Sequence, residues 1–194
     1  MLSFEDCFMW LNQFRPRSYD HREMLDKPMP SSGWSGLSNP AQAMKAGIQG
    51  LFDSNQKTMG LKNLLIFEEI GSRALSSFER GETCAWCGWF YYKLPDDERR
   101  NAAFKRAAAE YPASSHQRAI AYLLLAFSEW EFSKNTQAIL HFEKGIEELK
   151  ALEIQSQQDH LDERSAWYKI NIPEVEKTLA SLIQSLSEVD RARK

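Results

Sequence analysis

The chain is 194 residues long, 43% apolar, 26% charged and 12% aromatic, with 24 basic and 27 acidic side chains and a formal net charge of −3. That length suits one domain or two small ones, and the apolar fraction is enough for a packed core, which excludes wholesale disorder. The slight acidic excess argues against a strongly basic nucleic-acid or anionic-membrane binder, and no apolar run reaches the ~18–20 residues of a membrane span.

Met1 to Asp6 places no basic region ahead of an apolar stretch, so no secretory leader is expected and a cytoplasmic location is. Ser3 and Asp6 resemble a capping box, and Phe4, Phe8, Leu11, Trp10 and Phe14 recur at helical spacing, which predicts a short helix over 3–14. Residues 15–39 break that pattern with Pro16, Pro28, Pro30, Gly33 and Gly36, and read as a long irregular loop. Trp34 lies within it. A tryptophan on such a segment fits a partner contact better than a core position.

Asn39-Pro40 opens the next predicted helix, with Met44, Ile48, Leu51 and Phe52 on its apolar stripe to about Ser54. A further helix is expected from Leu61 to Arg80, with Leu64, Leu65, Ile70 and Phe78 in the core and Gly81 as its C-cap. The run 82–94 holds Trp86, Trp89, Phe90, Tyr91 and Tyr92. Its composition alone also suits a strand, but its neighbours are helical and no partner strand is visible.

Leu94-Pro95-Asp96-Asp97-Glu98 is a helix start, and Pro112 ends that helix. Ala119 to Phe132 is apolar nearly all round, as a central helix should be, and carries Trp130 near its end. Another helix begins at Asn135, with Ile139, Phe142, Ile146, Leu149 and Leu152 on one face, before a polar turn at 155–159. A short helix through Trp167 and Ile170 precedes a last one over 173–190, whose stripe of Val175, Leu179, Leu182, Ile183, Leu186 and Val189 suits a cap on the domain. That same stripe suits a dimer seam, so a monomer and a homodimer both remain open. No strand pattern is present. The expectation is an all-α chain: one helical domain over 1–194 built from stacked helical hairpins.

Two stretches, 81–114 and 119–152, align with each other at an offset of 38 residues. Cys84 pairs with Tyr122, Cys87 with Leu125, Gly88 with Ala126, Phe104 with Phe142, and Ala107 with Gly145. Sixteen positions separate the small residue from the aromatic in both copies. This pattern resembles the tetratricopeptide repeat, a helix–turn–helix unit of about 34 residues. Gly88 and Ala126 match the small residue of its first helix, Tyr91 its tyrosine, Phe104 and Phe142 its aromatic, Ala138 and Ala107 or Gly145 its other small positions, and Pro112 its terminal proline. Glu129, Arg100 and Lys150 depart from the pattern. The resemblance implies stacked hairpins whose inner helices present a groove to a peptide or another protein, with Tyr91, Tyr92 and Trp130 joining Trp34 as contacts. It also implies that Cys84 and Cys87 occupy buried positions.

Three cysteines, Cys7, Cys84 and Cys87, are too few for a disulfide scaffold and fit a reducing compartment. The Cys84-Ala85-Trp86-Cys87 spacing is that of a zinc half-site. Completing it would need Cys7 and one of His21, His116, His141 or His160, none of which is paired at a ligand-like spacing. Arg99, Arg100, Lys105 and Arg106 form the one compact basic patch, beside Asp96, Asp97 and Glu98. Together these define an alternative: a small zinc-binding, nucleic-acid-associated regulator. Phosphate loops, nucleophile elbows and zinc-protease helices are missing from the sequence. His160 among Asp159, Asp162 and Glu163 reads as a solvated helix start, and His116 and His141 as exposed and boundary residues. The leading expectation is a non-catalytic interaction protein of the adaptor, chaperone or immunity kind, without cofactor, whose partner is a protein or peptide rather than nucleic acid or membrane.

Overall fold

The computed structural model describes residues 2–11, 13–14, 38–74, 76–132 and 134–192, with the side chains of 38–43, 187 and 189–192 excepted. The expected loop over 15–39, Trp34 with it, lies outside the described residues apart from positions 38 and 39, which open a helix. The chain is all-α: the described residues form eight helices and no strand. These are α1 (Phe4–Trp10), α2 (Ser38–Asp53), α3 (Lys57–Ser72), α4 (Ser77–Lys93), α5 (Asp97–Glu110), α6 (His116–Glu131), α7 (Asn135–Gln158) and α8 (Asp162–Ala192). By its contacts the chain divides into two compact units, one of 1–14 with 113–194 and one of 15–112.

Helix starts follow the chemistry of the sequence. Ser3 and Asp6 form the expected capping box of α1. The Ser76 hydroxyl accepts from the Glu79 amide at 3.1 Å, the Asp96 carboxylate from the Arg99 amide at 3.2 Å, and the Ser115 hydroxyl from the Arg118 amide at 3.2 Å. Each of these side chains satisfies an amide that has no partner within its own helix.

In the 15–112 unit, α2 packs on α3, α3 on α4 and α4 on α5. The core there is Ile48, Leu64, Phe67, Cys87, Phe90, Tyr91 and Ala103. The predicted helix over Leu61 to Arg80 is corrected: the break falls after Ser72, and Gly81 sits inside α4 rather than capping α3. Gly81 has a packing reason instead, because a Cβ there would stand 2.6 Å from Cδ1 of Tyr111. Leu65, expected in the core, is 46% exposed.

In the other unit α1 packs on α6, α6 on α7 and α7 on α8. α6 is buried nearly all round, from Ala119 to Phe127, as its composition predicts. Two helix ends differ from expectation. α7 runs on to Gln158, through the predicted turn. The two predicted C-terminal helices are one, with Pro173 inside α8. Proline removes a helical N–H and crowds the preceding turn, yet Tyr168, Ile172, Val175, Thr178 and Leu182 form one buried stripe across it. Burial of that stripe offsets the lost hydrogen bond.

The hairpins α4–α5 and α6–α7 share several features at the 38-residue offset. Their first helices end on the caps Leu94 and Phe132. Phe104 and Phe142 are both fully buried, and a Cβ on Gly88 would lie 2.6 Å from Cζ of Phe104. Each hairpin is also tied by an arginine–glutamate pair at corresponding positions, Arg80 with Glu110 at 2.7 Å and Arg118 with Glu148 at 2.6 Å.

Candidate functional site

The cysteine pair is part of the packing. Cys87 is fully buried and Cys84 is 5% exposed. Burial pushes the Cys84 thiol up to about 11 and the Cys87 thiol well above its ordinary value. Cys7 is fully buried in α1, and burial raises its thiol well above the ordinary value too. A thiol binds metal or attacks as the thiolate, and these sites favour the protonated form. Among the described residues no group of three or more His, Cys, Asp or Glu side chains has the arrangement to hold a metal ion.

Tyr91, expected in a binding groove, is buried at 1% exposure. Its hydroxyl donates to Oε2 of Glu68 on α3 at 3.0 Å, and burial together with the Glu68 charge holds its proton well beyond the ordinary range. The tyrosine spacing therefore marks a helix–helix contact. Tyr92 and Trp130 are half-buried. Trp130 stacks on Phe127 at 6.2 Å, and Lys93 Nζ covers Trp89 at 4.4 Å and Tyr92 at 5.5 Å.

The basic patch is largely neutralised from within. Arg106 Nη1 pairs with Glu68 at 3.1 Å and Arg99 with Asp96 at 3.6 Å. Arg100 is buried at 3% exposure, with Asp97 at 3.7 Å and the Tyr92 ring at 5.4 Å from its Cζ. Lys105 is exposed. His160 stands exposed in the turn before α8 at φ 54°, with Asp159, Asp162 and Glu163 also exposed.

Two polar clusters are not apparent in the sequence. His116, expected to be exposed, is 4% exposed within an aromatic box of Phe14, Trp167 and Tyr168. Its Nε2–H donates to the Trp10 carbonyl at 3.0 Å, and the Tyr168 hydroxyl lies 3.3 Å from Nδ1. Burial lowers its pKa to about 4. This histidine, with Gln117 reaching the Leu11 and Gln13 carbonyls at 3.4 and 3.0 Å, fixes the α1 end on α6. The second cluster is His141, whose Nδ1 meets Oε2 of the buried Glu129 at 2.6 Å while its ring stacks on Tyr122. Their residue types were visible, but contacts that join residues 12 to 106 positions apart leave no sequence periodicity.

One surface feature has the form of a binding site. α7 and α8 run side by side and enclose an open groove of about 510 Å³. Ile146, Leu179, Ala180 and Ile183 form its floor. Glu143, Glu147 and Lys150 of α7 and Glu176 of α8 form its charged rim. Lys150 Nζ crosses the groove to Oε1 of Glu176 at 2.6 Å, and Lys144 Nζ binds Oε2 of Glu147 at 2.9 Å. Ile183 is 45% exposed at the floor. The floor side chains are all aliphatic, and the ionisable groups of the groove stand on its rim. The stripe on α8 revealed half of this site, and its pairing with α7 came from the fold.

Comparison with known protein families, with curated proteins and with solved structures finds no match for this chain. No described helix is long and apolar enough to cross a membrane.

Proposed function

We propose that the protein is a non-catalytic interaction module, of the adaptor, chaperone or immunity-protein kind, that holds another protein on its helical surface. The observation that carries this reading is the α7–α8 groove, an apolar floor open to solvent at Ala180 and Ile183 with charged residues on both rims. Such a surface excludes water over its centre while its rim selects orientation and partner. The repeated α4–α5 and α6–α7 hairpins support the same reading, since their likeness to tetratricopeptide repeats is a likeness to units that present grooves. The zinc and nucleic-acid alternative draws little from the site, because the thiols are buried and protonated and the arginines face carboxylates.

The test is capture of partners by the tagged full chain and by its Ala180→Glu variant. Ala180 is exposed on a helix, so the substitution places a charge on the floor while leaving the packing of α8 intact. A protein bound in stoichiometric amount by the parent and lost with the variant, at unchanged helicity, is the expected result. If both baits retained the same proteins, or the parent bound none, the groove would not be the working surface.

A further inference from the structure

Resting on the reading of the α7–α8 groove as a docking site, we infer that its occupant is a basic amphipathic helix of a partner protein. The first ground is charge. The rim carries the carboxylates of Glu143, Glu147 and Glu176 against the single ammonium of Lys150. Lys150 is taken by Glu176, and Glu147 has Lys144 beside it. Glu143 has no ion pair or hydrogen bond among the described residues. These pairs are exposed, and exposed pairs exchange partners at little cost. Incoming lysines or arginines therefore find one open carboxylate and others that re-pair easily.

The second ground is backbone chemistry. Both walls are helices whose amides and carbonyls are engaged along their own axes. An extended segment laid on this floor would find no backbone partners, and buried unpaired backbone groups are costly. A helix brings its own hydrogen bonds and fits the furrow between two others. Leu140 and Ile154, each 57% exposed, continue the rim line of α7 beyond both ends of the groove. From one to the other is about 21 Å at ~1.5 Å per residue, or about four turns of a docked helix. A second copy of this chain in the groove would set the same acidic rim against itself, and an anionic lipid surface would meet it with like charge.

The test uses three fluorescein-labelled helical peptides titrated into the full chain by anisotropy. The first has leucines spaced i, i+3, i+4, i+7 with lysine flanks. The second keeps the leucines but has glutamate flanks, and the third keeps the basic composition with the leucines scattered. The basic amphipathic probe should bind about tenfold or more tightly than either control, with that margin narrowing in high salt. Ala180→Glu should abolish its binding. Glu143→Lys with Glu147→Lys should reverse the preference between the two amphipathic probes. If the acidic probe bound as well as the basic one and Ala180→Glu removed both, the groove would stand and the basic partner would be wrong. Binding of the basic probe unaltered by Ala180→Glu would overturn both the partner and the groove. Dimerisation in sedimentation, or binding to vesicles containing phosphatidylserine, lost in each case with Ala180→Glu, would assign the groove to a second copy or to lipid and refute the inference.

Discussion

Acidification should loosen the 1–14 and 113–194 unit through one residue, His116. Its ring is buried against three aromatic side chains, and desolvation lowers its pKa from 6.5 to about 4. An unfolded chain binds the proton near pH 6.5, while the folded chain resists it until about pH 4. Between those values the unfolded state holds more protons, so stability rises with pH and falls as the solution is acidified through that window. At ~1.4 kcal/mol for each pH step between the unfolded and folded values, the linked loss is about 2.5 kcal/mol on going from pH 7 to 4.5 and about 3 kcal/mol by pH 4. His116→Gln removes the titration while keeping a polar side chain of similar reach. At neutral pH this variant should be the less stable, by about 1–2 kcal/mol for the imperfectly replaced contacts to the Trp10 carbonyl and Tyr168 hydroxyl. Urea denaturation of both proteins from pH 7.5 to 4.5, followed by tryptophan fluorescence, gives the difference directly. Every other group is common to the two proteins and cancels in the difference. The difference between them should shift by about 2.5 kcal/mol on acidification to pH 4.5, enough to erase or reverse the parent's advantage. A gap that stays constant across that range would show that His116 is not held neutral, and the account of the aromatic box would fail.

Three further outcomes follow from the packing. Gly71→Ala should cost about 1–2 kcal/mol net in thermal or urea unfolding, because a Cβ there would stand 2.5 Å from Cβ of Thr83 on the next helix. Gly50→Ala, with no described atom within 4 Å, should stabilise by up to about 1 kcal/mol from helix propensity; equal effects at the two positions would deny the close approach of α3 and α4. Glu148→Ala should destabilise by about 2 kcal/mol and Glu110→Ala by less than about 1, since Glu148 is 8% exposed and Glu110 33%. Equal losses in chemical denaturation would mean that burial does not set the strength of the repeated pair. The thiols of Cys84 and Cys87 should react with Ellman's reagent only on unfolding; fast labelling of the native chain would contradict their burial and raised pKa values.

Much of the fold was legible because helical periodicity and capping are local. Ser3 with Asp6 and the serine ahead of α6 announced their helices, and the all-round apolar run from Ala119 announced a central one; the run from Pro95 to Glu98 announced a start that falls two residues later, with Asp96 as the cap. The aromatic run around Tyr91 was readable as helix from its neighbours. What misled was the assumption that glycine and proline punctuate. Gly81 sits within α4 against Tyr111, and Pro173 within α8 on a buried stripe. In both places tertiary burial outweighs a local preference worth ~1 to ~3 kcal/mol.

The same division holds for the site. Cys84 and Cys87 are buried, as the alignment of the two hairpins implied, although of their counterparts Leu125 is buried and Tyr122 only half-buried. Tyr91 and Arg100 were not readable as buried, because whether an aromatic or a charged side chain faces solvent depends on Glu68, Asp97 and Tyr92 arriving beside it. His116 needed Trp10 and Tyr168, which lie far from it in the chain. Sequence by itself determined the helical class, most helix starts and the paired hairpins, all of which depend on interactions within a few turns. Only the tertiary structure decided which polar groups are buried and that α7 and α8 leave an apolar furrow between acidic rims. Burial and charge pairing are properties of surfaces brought together, and no single segment carries them.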